Sequence, residues 1–162
     1  MVKYSKIMHK LLITFGTRPF AQRIRKVLAA AFECHYASSE SFPELLLKGN
    51  FRKIPPAAHP TFAHELLKLA LDEDYRYVLP LGQMELQVLH ETRVLFEEYG
   101  ISLLLPDELL GIRLLENPPS TADIHILNRG VDMLTNETMA ESSVSGAVVL
   151  SDEGDEPILC IA

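Results

Sequence analysis

Leu11-Leu12-Ile13-Thr14-Phe15-Gly16-Thr17-Arg18, followed at helical spacing by Phe20, Ala21, Ile24, Val27 and Leu28, reads as strand, tight turn and helix. Residues 11–15 are apolar almost without alternation, as in a strand covered on both faces, and Gly16 closes the run. Thr17 is placed to cap the helix, whose other positions are mostly filled by Arg18, Arg23, Arg25 and Lys26. Such a unit opens an α/β sheet. Ligands of these sheets bind beyond the carboxyl ends of the strands, which makes Gly16, Thr17 and Arg18 the first candidate binding residues.

Outward from this unit the alternation of strand and helix continues. Residues 33–37 form a second strand that ends in Ser38-Ser39-Glu40-Ser41, again at the ligand edge. A helical turn or short helix over 42–47 stops at Gly49-Asn50, and a short strand over 51–54 runs into Pro55-Pro56, where helix is excluded. Behind Pro60 comes a helix over 61–74, then a fourth strand over 75–82 closed by Pro80, Leu81 and Gly82. Residues 84–99 predict the clearest helix. Its stripe is Leu86, Leu89, Val94, Leu95 and Tyr99, with Glu85, Glu91, Glu97 and Glu98 on other faces and Gly100 as its stop. Residues 101–105 are a fifth strand, ended by Pro106. The fold class is therefore α/β, a Rossmann-like parallel sheet of about five strands with helices on both faces.

The pattern breaks after Leu115. Asn117-Pro118-Pro119-Ser120 reads as a linker, 121–143 has weak periodicity, and the apolar runs 147–150 and 158–161 flank an acidic tip to give a β-hairpin. The chain divides into residues 8–116, a Rossmann domain, and 117–162, a linker with a hairpin appendage. Both hairpin strands are apolar on both faces, so something must cover them. The candidates are the main sheet's edge, the 121–143 segment or the same hairpin in a second subunit. A homodimer contact is preferred because the hairpin follows the linker.

At 162 residues and 48% hydrophobic content the chain suits one well-cored domain plus an appendage. No apolar run is long enough to span a bilayer, and residues 1–6 lead into a strand without a cleavage-site pattern, so no membrane partner is expected. Cys34 and Cys160 sit inside apolar runs, as buried reduced thiols of a cytoplasmic protein do. Residues 1–60 hold ten Lys or Arg against three Glu, while the remainder holds five against nineteen acidic residues. The cations are not interleaved with aromatics and the chain lacks Trp, so two halves that neutralise one another are expected rather than a nucleic-acid surface.

These residues carry a likeness. Residues 8–110 resemble the pre-ATP-grasp domain, the Rossmann-like amino-terminal domain of ATP-grasp enzymes such as carbamoyl-phosphate synthetase large chain, biotin carboxylase and the amino-acid ligases. The carriers are Leu11-Leu12-Ile13-Thr14-Phe15-Gly16, then Val78-Leu79-Pro80-Leu81-Gly82 followed by Glu85-Leu86, and Phe96-Glu97-Glu98-Tyr99-Gly100-Ile101 ending near Leu105-Pro106-Asp107-Glu108. In that family an Asp-Lys pair after the proline opens a long nucleotide-binding domain with lysines and metal-binding carboxylates. Here the segment is Leu109-Leu110-Gly111-Ile112-Arg113-Leu114-Leu115, and no lysine occurs after Lys68. An ATP-grasp phosphate site is not carried over.

Against the dinucleotide fingerprint the first turn offers Gly16, Arg18 and Ala21; Arg18 stands where glycine must let pyrophosphate approach, so no nicotinamide cofactor is expected. Glu40 remains available to a ribose hydroxyl. A fixed cation near a helix amino terminus instead suits a carboxylate or phosphate, with a solvated or ion-paired arginine as the alternative. His59 and His64, and His90-Glu91, lack metal-ligand spacing. Ser38, Ser39 and Ser41 lack a nucleophile elbow, and the acidic run 152–156 lacks the spacing of a calcium loop. The reading is thus a free-standing domain that binds a small anionic molecule or a partner protein through Gly16, Thr17, Arg18, Ser38, Ser39, Glu40, Pro80, Leu81 and Gly82. It has no catalytic residues, metal or cofactor of its own. The alternatives are a substrate-binding piece of a ligase completed by an ATP-grasp partner chain, or a degenerate nucleotide-binding protein.

Overall fold

A computed structural model describes residues 8–150 and 156–162. The expected unit opens it: β1 (His9–Ile13), a turn, and α1 (Pro19–Leu28). There follow β2 (Phe32–Ser38), a 3-10 turn at Glu44–Lys48, β3 (Phe51–Lys53), α2 (Phe62–Asp72) and β4 (Tyr75–Leu79). Then come α3 (Gln83–Glu91), α4 (Arg93–Glu98) and β5 (Ser102–Leu103). These five strands form one parallel sheet in the order β3-β2-β1-β4-β5. The order reverses between β1 and β4, the point at which open α/β sheets leave a crevice.

Period-two alternation assigns each face. Leu11 and Ile13 of β1 pack with Phe20, Ala21, Ile24 and Leu28 of α1, whereas Leu12 faces Phe62, Leu66, Leu86, Leu89 and Phe96 of the three other helices. The sheet is covered on both sides, as the unbroken apolar strands require.

Three local expectations are corrected. Thr17 does not cap α1: Arg18 occupies the N-cap without a side-chain cap, and Pro19 supplies the fixed φ of the first turn. The 84–99 helix breaks at Thr92, whose hydroxyl donates back to the Val88 carbonyl at 3.0 Å while its backbone leaves helical values (φ −105°, ψ 10°). Beyond the break the buried face changes. Phe96 is fully buried, and Val94 and Tyr99, read as part of the stripe, are 66% and 57% exposed.

The third correction concerns the hairpin. Strands β9 (Gly146–Val149) and β10 (Ile158–Ile161) do pair antiparallel, but inside a second, mixed sheet of order β6-β10-β9-β7-β8. It is completed by β6 (Leu114–Glu116), parallel to β10, and by β7 (Ile124–Asn128) and β8 (Val131–Asp132) from the weakly periodic segment. Its cover comes from the same chain. Leu127, Val148, Leu159 and Ile161 join the core beneath α2–α4, and Ile124, Ile126, Ala147 and Cys160 join the core beneath α1. Within the one chain both faces of the hairpin strands are buried, by the intramolecular route that extends a sheet and packs it on the helices. The residues called a linker are clamped: Arg23 of α1 donates to the carbonyls of Pro118 (3.2 Å), Pro119 (2.9 Å) and Ala122. Of the acidic tip, residues 152–155 lie outside the described residues. No helix among the described residues is long and apolar enough to cross a membrane.

Candidate functional site

The loops after β1, β2 and β4 meet across the carboxyl edge of the parallel sheet. Gly16 N donates to Ala37 O at 2.9 Å, and Thr14 N to Leu79 O at 3.1 Å. Gly16 is required by proximity rather than by a special φ, because a Cβ there would lie 2.3 Å from Tyr36 Cβ. Gly82 is required likewise: its Cβ would fall 2.3 Å from the Phe15 ring. That ring rests over the crevice between β1 and β4, held by a Phe15 backbone at φ +53°, a left-handed conformation strained for an aromatic residue.

Below the ring lies a carboxyl group that the sequence reading put on an outer face. Glu85, on the first turn of α3, is 5% exposed and accepts from Thr14 Oγ1 at 2.5 Å, while Thr14 Oγ1 in turn accepts from Leu81 N at 2.8 Å. Burial pushes the Glu85 carboxyl up to about 7, against the Thr14 hydroxyl and the Gly82 and Leu81 N–H groups, which favour its charged form. Glutamate three residues after the N-cap Gly82 is the half of a capping box that reaches back to the N-cap N–H, and that spacing was the missed signal. With Phe15 above it and Ala162 N donating to Leu81 O at 2.9 Å, this end of the crevice is sealed. Pro80, Leu81 and Gly82 are all buried and form its wall.

The accessible part of the edge lies beside it, above β1, β2 and β3. Arg18 Nε and Nη2 donate to the two carboxylate oxygens of Glu40 at 2.7 and 3.2 Å, and Thr17 Oγ1 donates to Glu40 Oε1 at 3.1 Å. Arg18 thus holds the Glu40 carboxyl below the usual carboxylate range. Ser38 is buried, its hydroxyl accepting from Glu40 N at 3.0 Å and so fixing the turn. Lys53, from the end of β3, donates to the carbonyls of Ser39 (2.8 Å) and Glu40 (3.1 Å). Sequence reasoning missed Lys53, although its place at the last position of a parallel strand puts it on this same edge. The result is a ledge on which Arg18 and Lys53 flank Glu40, with Glu116 acting on Arg18 from further off, and the Arg18 side chain stays 47% exposed.

The sequence matches none of the protein-family models and none of the curated proteins with which it was compared.

Several other titratable groups have local work. His59 Nδ1 accepts from Thr61 N at 3.2 Å at the start of α2, and His90 Nε2 donates to the Asp107 carbonyl at 2.7 Å. Cys34 and Cys160 are free and buried, and burial pushes both thiols up to about 11. Among the described residues, no three His, Cys, Asp or Glu side chains gather as a metal site would require.

Proposed function

We propose that the chain is a pre-ATP-grasp-like domain that binds a small anionic molecule at the ledge of Thr17, Arg18, Ser39, Glu40 and Lys53 and catalyses no reaction by itself. The observation that carries this reading is the half-exposed Arg18, fixed over the carboxyl end of β1 by a carboxylate that an incoming anion can replace. A bidentate arginine–carboxylate contact is exchanged for another of the same kind, so the Glu40 pair holds the guanidinium ready. The exposed guanidinium of Arg18, with Lys53 beside it on the same edge, supports an anionic ligand over a cation. Residues 107–115, where the family opens its nucleotide-binding domain with an Asp-Lys pair, carry no lysine, which supports the lack of an ATP-grasp phosphate site in these residues; a partner bearing that machinery is the route by which the domain would serve a ligase. Two buried free thiols support a reducing, cytoplasmic setting.

A thermal-shift screen over carboxylic acids, inorganic phosphate and nucleotides tests the reading, because binding to the native state alone raises its stability. An anion that stabilises the chain is expected to lose its effect in Arg18→Gln and to act at lower concentration in Glu40→Gln, where the internal competitor is gone. ATP with magnesium and the nicotinamide dinucleotides are expected to have little effect. The reading fails if no anion stabilises even Glu40→Gln, or if binding is indifferent to Arg18.

A further inference from the structure

A second concavity lies away from the ledge, where the segment after Pro106 passes the second sheet. It is a cleft of about 250 Å3. That is below the ~300–1,000 Å3 of sites for drug-sized ligands and suits something of the size of one amino acid. Ile112, Val144, Val148 and Leu159 give it an apolar floor. The floor surface comes from the half-buried Ile112 and Val144; Val148 of β9 and Leu159 of β10 are buried beneath it and make it rigid, and Leu159 N donates to Arg113 O at 2.9 Å to lock the wall to the sheet. The rim carries Arg113 together with Glu108, Glu141 and Glu156. None of these four makes an ion pair with another described residue, in contrast to Arg18, Arg52 and Arg93, which are all paired.

One cation and three carboxylates around an apolar floor match one ligand chemistry. We propose that this cleft binds a free α-amino acid with an apolar side chain of about leucine or phenylalanine size. Arg113 takes its carboxylate, the rim glutamates take its ammonium group, and Leu110, Ile112, Val144 and Pro157 take its side chain over the buried Val148 and Leu159. A carboxylate alone would meet an excess of like charge, and an amine alone would leave Arg113 without a partner. The site is independent of the Arg18 ledge.

Calorimetry with L-leucine tests the proposal, with glycine, 3-methylbutylamine and 4-methylpentanoate as partial probes that lack the side chain, the carboxylate and the amine. L-Leucine is expected to bind more tightly than any of the three. Arg113 is exposed, so Arg113→Gln is expected to keep its circular dichroism spectrum. It should weaken L-leucine by about tenfold or more, the loss of one charge-assisted contact, with 3-methylbutylamine little changed. Arg18→Gln is expected to leave L-leucine affinity intact, which separates this site from the ledge. The proposal is overturned if L-leucine binds no better than glycine, if Arg113→Gln binds it undiminished, or if its binding is lost in Arg18→Gln instead.

Discussion

Glu85 is the residue whose environment has the plainest measurable consequence. Its folded-state pKa of about 7 lies above the ordinary carboxylate value of 4.5, so between those limits the native chain holds a proton that the unfolded chain has released. The Glu85 contribution to stability is therefore greatest below the lower value, falls as pH rises through the window and is flat above it. The span amounts to roughly 3 kcal/mol for a shift of this size. Denaturant titrations of the wild type at pH 5 and pH 7.5 should differ in this direction. Glu85→Gln, which keeps an acceptor for Thr14 but cannot ionise, should remove most of the difference. An equal pH dependence in the variant would show that other groups set it.

At the scale of elements, α1 carries a polar contact with the segment that leads into the second sheet. Arg23 gathers the carbonyls of the 117–122 turn, and no other cation of α1 does so among the described residues. Arg23→Ala should cost about 1.5–3 kcal/mol, the range for hydrogen bonds from a charged donor, as a lowered denaturant midpoint with unchanged slope. The parallel sheet was legible because its strands are short apolar runs punctuated by Gly16, Pro55, Gly82 and Pro106, and because alternation alone set the order of strand and helix. Thr92 was not legible. Its helix break depends on a hydroxyl competing for a carbonyl, which a count of apolar spacing does not register. The second sheet was half legible: the β9–β10 pair announced itself, whereas β7 and β8 are joined by Arg129 and Gly130, both at positive φ, in a two-residue turn whose signal is a single Gly among polar residues. At the edge of the parallel sheet, the convergence of the three loops followed from topology. The place of Glu85 could have been read from its spacing after Gly82, whereas the pairing of Arg18 with Glu40 and the position of the Phe15 ring depended on side-chain placement that no spacing encodes.

For the whole molecule, the shared cores decide what can be removed. Truncation after Ser120 would strip Leu127, Val148, Leu159 and Ile161 from one core and Ile124, Ile126, Ala147 and Cys160 from the other. Each such loss leaves a void at the sheet it covered, and the costs of single large-to-small core changes, about 2–5 kcal/mol, already rival the stability of a domain. Residues 8–120 are therefore expected to lose cooperative unfolding and native circular dichroism. A folded truncation product would show that the parallel sheet needs nothing from the second.

The position of β10 also orders events in time. It lies between β6 and β9 in the second sheet, and among the described residues it is the one strand partner of β6, yet it follows the other described strands along the chain. As the polypeptide leaves the ribosome, β7, β8 and β9 can form their meander early. β6 must wait with unpaired backbone groups until a segment more than forty residues later arrives. Pairings of such long sequence separation are slow to form. The interval before β10 inserts is thus when the nascent chain exposes a bare strand edge to its neighbours, and it is the stage at which crowding by other unfinished copies does most harm.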